Sequence, residues 1–283
     1  MSEFLKSNSF LNLDIKKIFY VSIIFSLVIY VIIIILFYFF QRSFIYLPNV
    51  KNSSGYQSDN VNFFYKEVKI INDDKINLIA WLHEKDLQKK KTLIFFHGNS
   101  GELHHRKNKL YEFSKLDINF IIFAWRGYSG NKGSPTEQGL YQDANSVIKW
   151  IQNKGVKEEN IILYGESLGT GVAIEVGQNK NFSGIILEAP YTSLVDLAKK
   201  YYPFLPVDLL LQDKFESIKK IKNLKSPVLV LHGGADEIVP FHMGKKIFDE
   251  IKTKKYGYFP EFDHHKMNFD SKLTIELEKF IKL

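Results

Sequence analysis

The sequence predicts an α/β fold: a mostly parallel central sheet of about eight strands flanked by helices, with a minimal cap, preceded by one N-terminal transmembrane helix. Three observations carry this expectation. From residue 68 onward, short β-branched and aliphatic runs alternate with amphipathic stretches, the pattern of βα units. Gly165-Glu166-Ser167-Leu168-Gly169 stands between one such run and a helical stretch, the context a G-x-S-x-G turn requires. Residues 18–40 form a run of 23 residues without a charge.

As a helix that run would extend roughly 34 Å at ~1.5 Å per residue, against a hydrocarbon core of about 30 Å. Only Ser22 and Ser26 interrupt it, and no polar face marks it as a soluble core helix. It ends Phe37-Tyr38-Phe39-Phe40-Gln41-Arg42, with no small residue suited to signal cleavage. The run reads as an uncleaved single-pass anchor. The expected organisation is an N-terminal tail at 1–17, the anchor at 18–40, a tether at 41–66 and a globular domain at 67–283. Lys6, Lys16 and Lys17 precede the span, and Arg42 and Lys51 follow it, which favours a cytoplasmic N-terminus with the domain on the opposite side.

The strands expected in the domain are 68–71 and 76–82 around an Asn72-Asp73-Asp74 turn, then 92–96, 118–125, 160–164, 184–188, 227–232 and 256–259. Helical patterns fall near 103–115, 136–153, 168–179, 241–252 and 271–282, the second opening just after Pro135. Composition suits one sizeable core: 283 residues, 45% hydrophobic, with 24 Phe and 15 Tyr. The absence of cysteine excludes disulfides, thiolate catalysis and cysteine metal sites. Of the net charge of +7, four basic and two acidic residues place +2 in residues 1–42, leaving +5 for the rest. The lysine runs near 89–91 and 252–255 read as solvated faces; without a basic stripe or binding motif, no nucleic-acid partner is expected.

In a parallel sheet, function collects at the carboxyl ends of the strands, and the polar motifs sit there. They are His97-Gly98-Asn99-Ser100-Gly101, Arg126-Gly127-Tyr128, Ser167, Glu188-Ala189-Pro190-Tyr191, His232-Gly233-Gly234-Ala235-Asp236 and Asp263-His264-His265. The elbow turn is so tight that only glycine fits on either side of Ser167, whose hydroxyl is pushed clear of the sheet. A serine hydroxyl needs a histidine to take its proton, and the histidine needs an acid to fix its tautomer. Asp236, a short Gly-Gly turn beyond its strand, is the expected acid, with Glu188 as runner-up. His264 is the expected base and His265 the alternate, since neighbouring side chains there diverge. The backbone N–H groups of Leu168 and Asn99 (alternate Ser100) are the expected oxyanion donors. His97 and His232 read as structural hydrogen-bonders. The pairs His104-His105 and His264-His265 are adjacent and rarely chelate one ion together, so no metal is expected; lacking a dinucleotide fingerprint or P-loop, the chain implies no cofactor.

These residues resemble the α/β-hydrolase superfamily, in its membrane-anchored branch that includes acyl-protein thioesterases and many bacterial hydrolases of unassigned substrate. The pieces that carry the resemblance are His97-Gly98-Asn99, Trp125-Arg126-Gly127-Tyr128, Gly133-Ser134-Pro135-Thr136-Glu137 and Gly139-Leu140-Tyr141-Gln142-Asp143-Ala144. With them go the elbow, Glu188-Ala189-Pro190-Tyr191-Thr192-Ser193-Leu194, Asp236-Glu237-Ile238-Val239-Pro240 and, after the anchor, Gln41-Arg42-Ser43-Phe44-Ile45-Tyr46-Leu47-Pro48. The resemblance implies the α/β-hydrolase fold and Ser167, Asp236 and His264 as a triad. Two departures stand out: Ser129-Gly130-Asn131 where the family often has Gly-x-Ser, and Asp263-His264-His265 where it commonly has a small residue, His, then Asn.

Only about 35 residues separate the Pro190 corner from Pro227, which leaves little room for a lid. Their apolar part, Tyr201-Tyr202-Pro203-Phe204-Leu205-Pro206 and Leu209-Leu210-Leu211, is either a helix packed on the core or a greasy rim for an acyl chain. On the second reading Tyr191, Tyr201, Phe204 and Leu205 bind substrate. The expected partners are then an acyl ester or thioester, borne by a lipid or a lipidated protein, and the bilayer itself. A peptidase on the same fold and an inactive membrane-bound scaffold are the rival readings.

Overall fold

The computed structural model describes residues 3–48, 63–264 and 271–283. Helix α1 (Glu3–Ile45) is longer than the apolar run at both ends. Its stretch Ile15–Ile45 is long and apolar enough to cross a membrane, with a mean hydropathy of 3.1 over its most apolar 18 residues. Part of the expected tether is therefore helix: residues 41–45 complete the last turn of α1, while 49–62 lie outside the described residues.

Eight strands form one sheet: β1 (Lys66–Ile71), β2 (Asn77–His83), β3 (Thr92–Phe96), β4 (Asn119–Phe123), β5 (Ile161–Glu166), β6 (Gly184–Glu188), β7 (Val228–Leu231) and β8 (Lys255–Tyr258). Their spatial order is β1-β2-β4-β3-β5-β6-β7-β8. Strand β2 runs antiparallel to β1 and β4, and every later pairing is parallel. The β1–β2 hairpin closes where expected: the Asn72 side chain accepts from the Ile76 amide at 2.8 Å and donates to Asp143 at 2.7 Å. Strands β3 to β7 are buried on both faces and read as continuous apolar runs for that reason.

The helices pack on both faces: α2 (Lys107–Lys115), α3 (Glu137–Asn153), α4 (Leu168–Gly177), α5 (Leu194–Tyr201), α6 (Val207–Leu210), α7 (Ser217–Lys220), α8 (Phe241–Glu250) and α9 (Ser271–Ile281). Thr136 caps α3 by accepting from the Gly139 amide at 2.9 Å, and Ser193 caps α5 by accepting from Asp196 at the same distance. The apolar insertion after Pro190 is divided into α5, α6 and a connecting turn. Its buried residues Val195, Leu205 and Val207 form a small cluster of their own against Ile33, Ile34 and Phe37 of α1. The loop that departs from the family pattern is built around Asn131, which donates to the Ala124 carbonyl at 2.8 Å and accepts from the Ile79 amide at 3.1 Å.

Candidate active site

Ser167 lies between β5 and α4 with φ 50° and ψ −113°, a sparsely populated conformation for a residue with a Cβ. Such strain costs about 1–3 kcal/mol and persists only where neighbours enforce it. Here the Ser167 amide donates to the Glu188 carbonyl at 2.8 Å, and the Ser167 carbonyl accepts from the Thr170 amide and hydroxyl at 2.9 and 2.6 Å. The flanking glycines are required by close approach. A Cβ on Gly165 would lie 2.5 Å from the Gly169 carbonyl oxygen, and one on Gly169 would lie 2.0 Å from that of Phe96.

Asp236 and His264 meet. The Asp236 Oδ2 atom is 2.7 Å from His264 Nδ1, while Oδ1 accepts from the Ile238 and Val239 amides at 3.0 and 2.8 Å. Burial alone would push the Asp236 carboxyl up. Hydrogen bonds from His232 and His264, the charge of His264 and the Val239 amide outweigh it and hold the group well below its ordinary 3.8. It therefore stays ionised opposite the imidazole. His264 and Ser167 line the same small cavity of about 20 Å³, room for a single water. His265 lies outside the described residues.

His97 and His232 are both buried. The ring of His97 bridges the Gly98 carbonyl (2.8 Å from Nδ1) and the Trp125 amide (3.4 Å from Nε2), which suits one neutral tautomer. Burial and then the nearby Arg106 charge lower its pKa to about 3. Its ordinary value is 6.5, so the unfolded chain binds this proton over a range where the folded chain does not. Stability is therefore expected to fall as pH drops from 6.5 toward 3, by up to about 1.4 kcal/mol per pH unit. Urea titrations of wild type and His97→Gln across that range check it; parallel curves would show that His97 does not contribute. His232 Nε2 lies 2.9 Å from the Val239 carbonyl and 3.4 Å from Asp236 Oδ2, steadying the acid from behind.

The Leu168 amide opens α4, where the helix dipole favours an anion. Asn99 is held on three sides: its side chain donates to the Ile45 carbonyl at 3.0 Å, and its carbonyl accepts from the Leu47 amide and the Tyr128 hydroxyl at 2.8 and 2.7 Å. Ser100 also lines the small cavity, and its carbonyl accepts from Arg106 at 2.6 Å. Ser167 and Asn99 line, in addition, an apolar pocket of about 270 Å³ that reaches away between α5, α6 and α1. Tyr191, Tyr201 and Leu205 belong to its lining. Phe204, expected there, does not: its ring is exposed on the outside of the segment, and its carbonyl accepts from the Tyr30 hydroxyl of α1 at 2.7 Å. The turn after α5 directs Leu205 inward and its neighbour outward.

Two features escaped the sequence reading. One is a buried charge cluster behind the nucleophile. Lys109 donates to Glu166 Oε2 and Glu188 Oε2, both at 2.6 Å, Arg106 pairs with Glu166 Oε1 at 3.1 Å, and the Tyr164 hydroxyl donates to Glu188 at 2.6 Å. Glu188, the runner-up acid, is thus committed to Lys109 and Tyr164. Lys109 and Arg106 look like surface residues of an amphipathic stretch; the available signal was two carboxylates at buried strand ends that needed counter-charges. The other feature is the contribution of α1, whose Phe37, Gln41, Phe44 and Ile45 line the pocket.

With this geometry in view, the comparisons with known proteins agree on a class. A family model described as serine aminopeptidase, S33, matches residues 88–217. A candidate α/β hydrolase of Acanthamoeba polyphaga mimivirus is 30% identical over 239 residues, 82% of this chain and 88% of that one. The human alpha/beta hydrolase domain-containing protein 17B is 32% identical over 169 residues, 58% of this chain and 56% of its own length. Among solved structures, the Pyrococcus furiosus esterase PF2001 superposes with a TM-score of 0.66 at 20% identity, covering 79% of this chain and 94% of that one. The chain belongs to the α/β-hydrolase family, and it has that family's eight-stranded, mostly parallel sheet. Its family places it among hydrolases.

Proposed function

We propose that the protein is a membrane-anchored serine hydrolase that cleaves carboxylic ester or thioester bonds of acyl substrates through Ser167, Asp236 and His264. The observation that carries this reading is the convergence of a strained Ser167 and an Asp236-paired His264 on one cavity, at the mouth of an apolar pocket. His264 takes the Ser167 proton as Oγ attacks the acyl carbonyl. The resulting oxyanion is received by the Leu168 and Asn99 amides, and His264 then protonates the leaving alcohol or thiol. A water activated by the same imidazole hydrolyses the acyl-enzyme. The 18–40 run serves as the anchor, with the basic residues before it favouring a cytoplasmic N-terminus and the domain on the opposite side.

The aminopeptidase family description makes a peptidase the second reading. An aminopeptidase must hold its substrate's ammonium with a carboxylate or several carbonyls. The described residues that line the pocket include no Asp or Glu, which favours an acyl chain over a peptide N-terminus.

The test is labelling of the detergent-solubilised full-length protein with a fluorophosphonate probe, followed by mass spectrometry of the modified peptide. Phosphonylation at Ser167, lost in Ser167→Ala, is the expected result. An unlabelled wild type, beside a control hydrolase that reacts in the same detergent, would sink the proposal and bring the inactive-scaffold reading forward.

A further inference from the structure

The anchor helix is built into the catalytic domain. Near its end, the Gln41 side chain donates to the Leu210 carbonyl at 3.1 Å and accepts from the Gln212 amide at 2.7 Å. Arg42 pairs with the buried Asp213 at 2.8 Å, and Asp213 also accepts from the Glu137 amide at the start of α3. Leu47 pairs beside Ser100 as an extra bridge on the oxyanion loop. A tether would make no such contacts. The Asn99 side chain donating to the Ile45 carbonyl, and the Leu47 amide donating to the Asn99 carbonyl, join the end of α1 directly to the expected oxyanion donor.

The apolar contacts say what this end of α1 is for. Phe37 stacks on Phe44 with centroids 5.2 Å apart and meets Tyr202 edge-on at 5.3 Å, so one aromatic pair on α1 faces the pocket. The pocket's volume of about 270 Å³ and its largely apolar lining suit a hydrocarbon chain. The pocket thus fits an acyl chain, whose far end abuts α1.

Helix length sets the depth of this end of the pocket. If Lys16 and Lys17 mark one membrane face, a hydrocarbon core of about 30 Å ends roughly 20 residues further on, at Phe37. Tyr30 then lies about 10 Å inside at ~1.5 Å per residue, and it holds the Phe204 carbonyl. The 201–211 segment therefore reaches acyl-chain depth, where its exposed Tyr201, Phe204 and Leu209 meet lipid instead of water.

We propose that α1 is the acyl-selecting wall of the active-site pocket: Phe37 and Phe44 close the end away from Ser167 and so set the length of the acyl chain it takes. The inference rests on the serine-hydrolase reading and deepens it: the anchor determines specificity as well as location.

The test uses the full-length protein in phosphatidylcholine nanodiscs, with nitrophenyl esters from C4 to C16. Phe37→Ala opens the end of the pocket and is expected to move the optimum to longer chains. Since an accommodated methylene is worth about tenfold or more, the kcat/KM ratio of long to medium esters should rise at least tenfold. Phe37→Trp, which keeps an aromatic ring in place, should move the optimum to shorter chains and decides the matter if the alanine variant does not fold. Phe25→Ala, lower on α1 and exposed, should leave the profile unchanged. Unaltered profiles, or a uniform loss at every chain length, with Ser167 still labelled by fluorophosphonate would overturn the α1 assignment and leave the hydrolase reading standing. Failure of wild type to label would overturn the hydrolase reading itself, and this inference with it.

Discussion

Replacing Asp236 with Asn is expected to lower kcat/KM for ester hydrolysis by roughly 10⁴-fold while the fold survives. The two oxygens of Asp236 have separate duties. Oδ1 accepts from the Ile238 and Val239 amides and shapes the turn after β7; an amide oxygen does this equally well. Oδ2 faces His264 Nδ1 at 2.7 Å, and a carboxylate there forces the imidazole to carry its proton on Nδ1. Nε2 is then free to act as a base toward Ser167. An Asn NH₂ in the Oδ2 position can only donate, so Nδ1 must accept and the proton moves to Nε2, the wrong side for catalysis. Steady-state kinetics measure the loss, and circular dichroism with a thermal melt close to wild type shows that the fold was kept. A loss of less than tenfold would remove Asp236 from the triad. The matching Glu188→Gln change should not imitate it, because the Glu188 carboxylate is engaged by Lys109 and Tyr164, both at 2.6 Å.

The strand framework was legible because buried parallel strands have to be apolar on both faces. Runs such as 92–96 and 184–188 leave no other reading, and the observed β3 and β6 coincide with them. The elbow was legible for a geometric reason: both Gly165 and Gly169 face backbone at distances that exclude a Cβ. Placement of Asp236 followed from its Gly-Gly turn, and the structure sets it against His264. What the residues did not disclose is long-range. A helix apolar all round carries no periodicity that singles out a docked face, so nothing in 18–40 announced that Phe37 looks into a pocket. The overshoot of α1 to Ile45 depends on Arg42 finding Asp213, 171 residues away. Phe204 was placed wrongly because a turn between two short helices has no fixed inward face.

The charge cluster behind the elbow was hidden for a similar reason, and removing one member is expected to have the largest effect on stability. Lys109, Arg106, Glu166 and Glu188 balance to zero charge with almost no exposure to water. Lys109→Met retains the apolar stem but leaves two carboxylates facing one guanidinium. An uncompensated buried charge costs about 3–5 kcal/mol. At ~2–4 °C per kcal/mol for a chain approaching this size, Tm should fall by roughly 6–20 °C. The pH dependence separates this cause from lost packing. Burial pushes the Glu166 carboxyl up, but the charges of Lys109 and Arg106 outweigh it and hold it below its ordinary 4.5. A group with a depressed folded pKa contributes its stability above the unfolded value and loses it as pH falls. In wild type that contribution drains below pH 4.5. In Lys109→Met much of it is already absent at neutral pH, so the gap between the two proteins should narrow as pH drops through the same range. Adding Glu188→Gln restores charge balance and should recover part of the lost Tm. A gap that stays constant with pH, or a double variant no more stable than the single one, would show that Lys109 acts through packing alone. Because the Ser167 amide donates to the Glu188 carbonyl, the loosened variant should also label more slowly with fluorophosphonate at temperatures where it is still folded. The cluster would then hold the strained elbow in place as well as stabilise the fold.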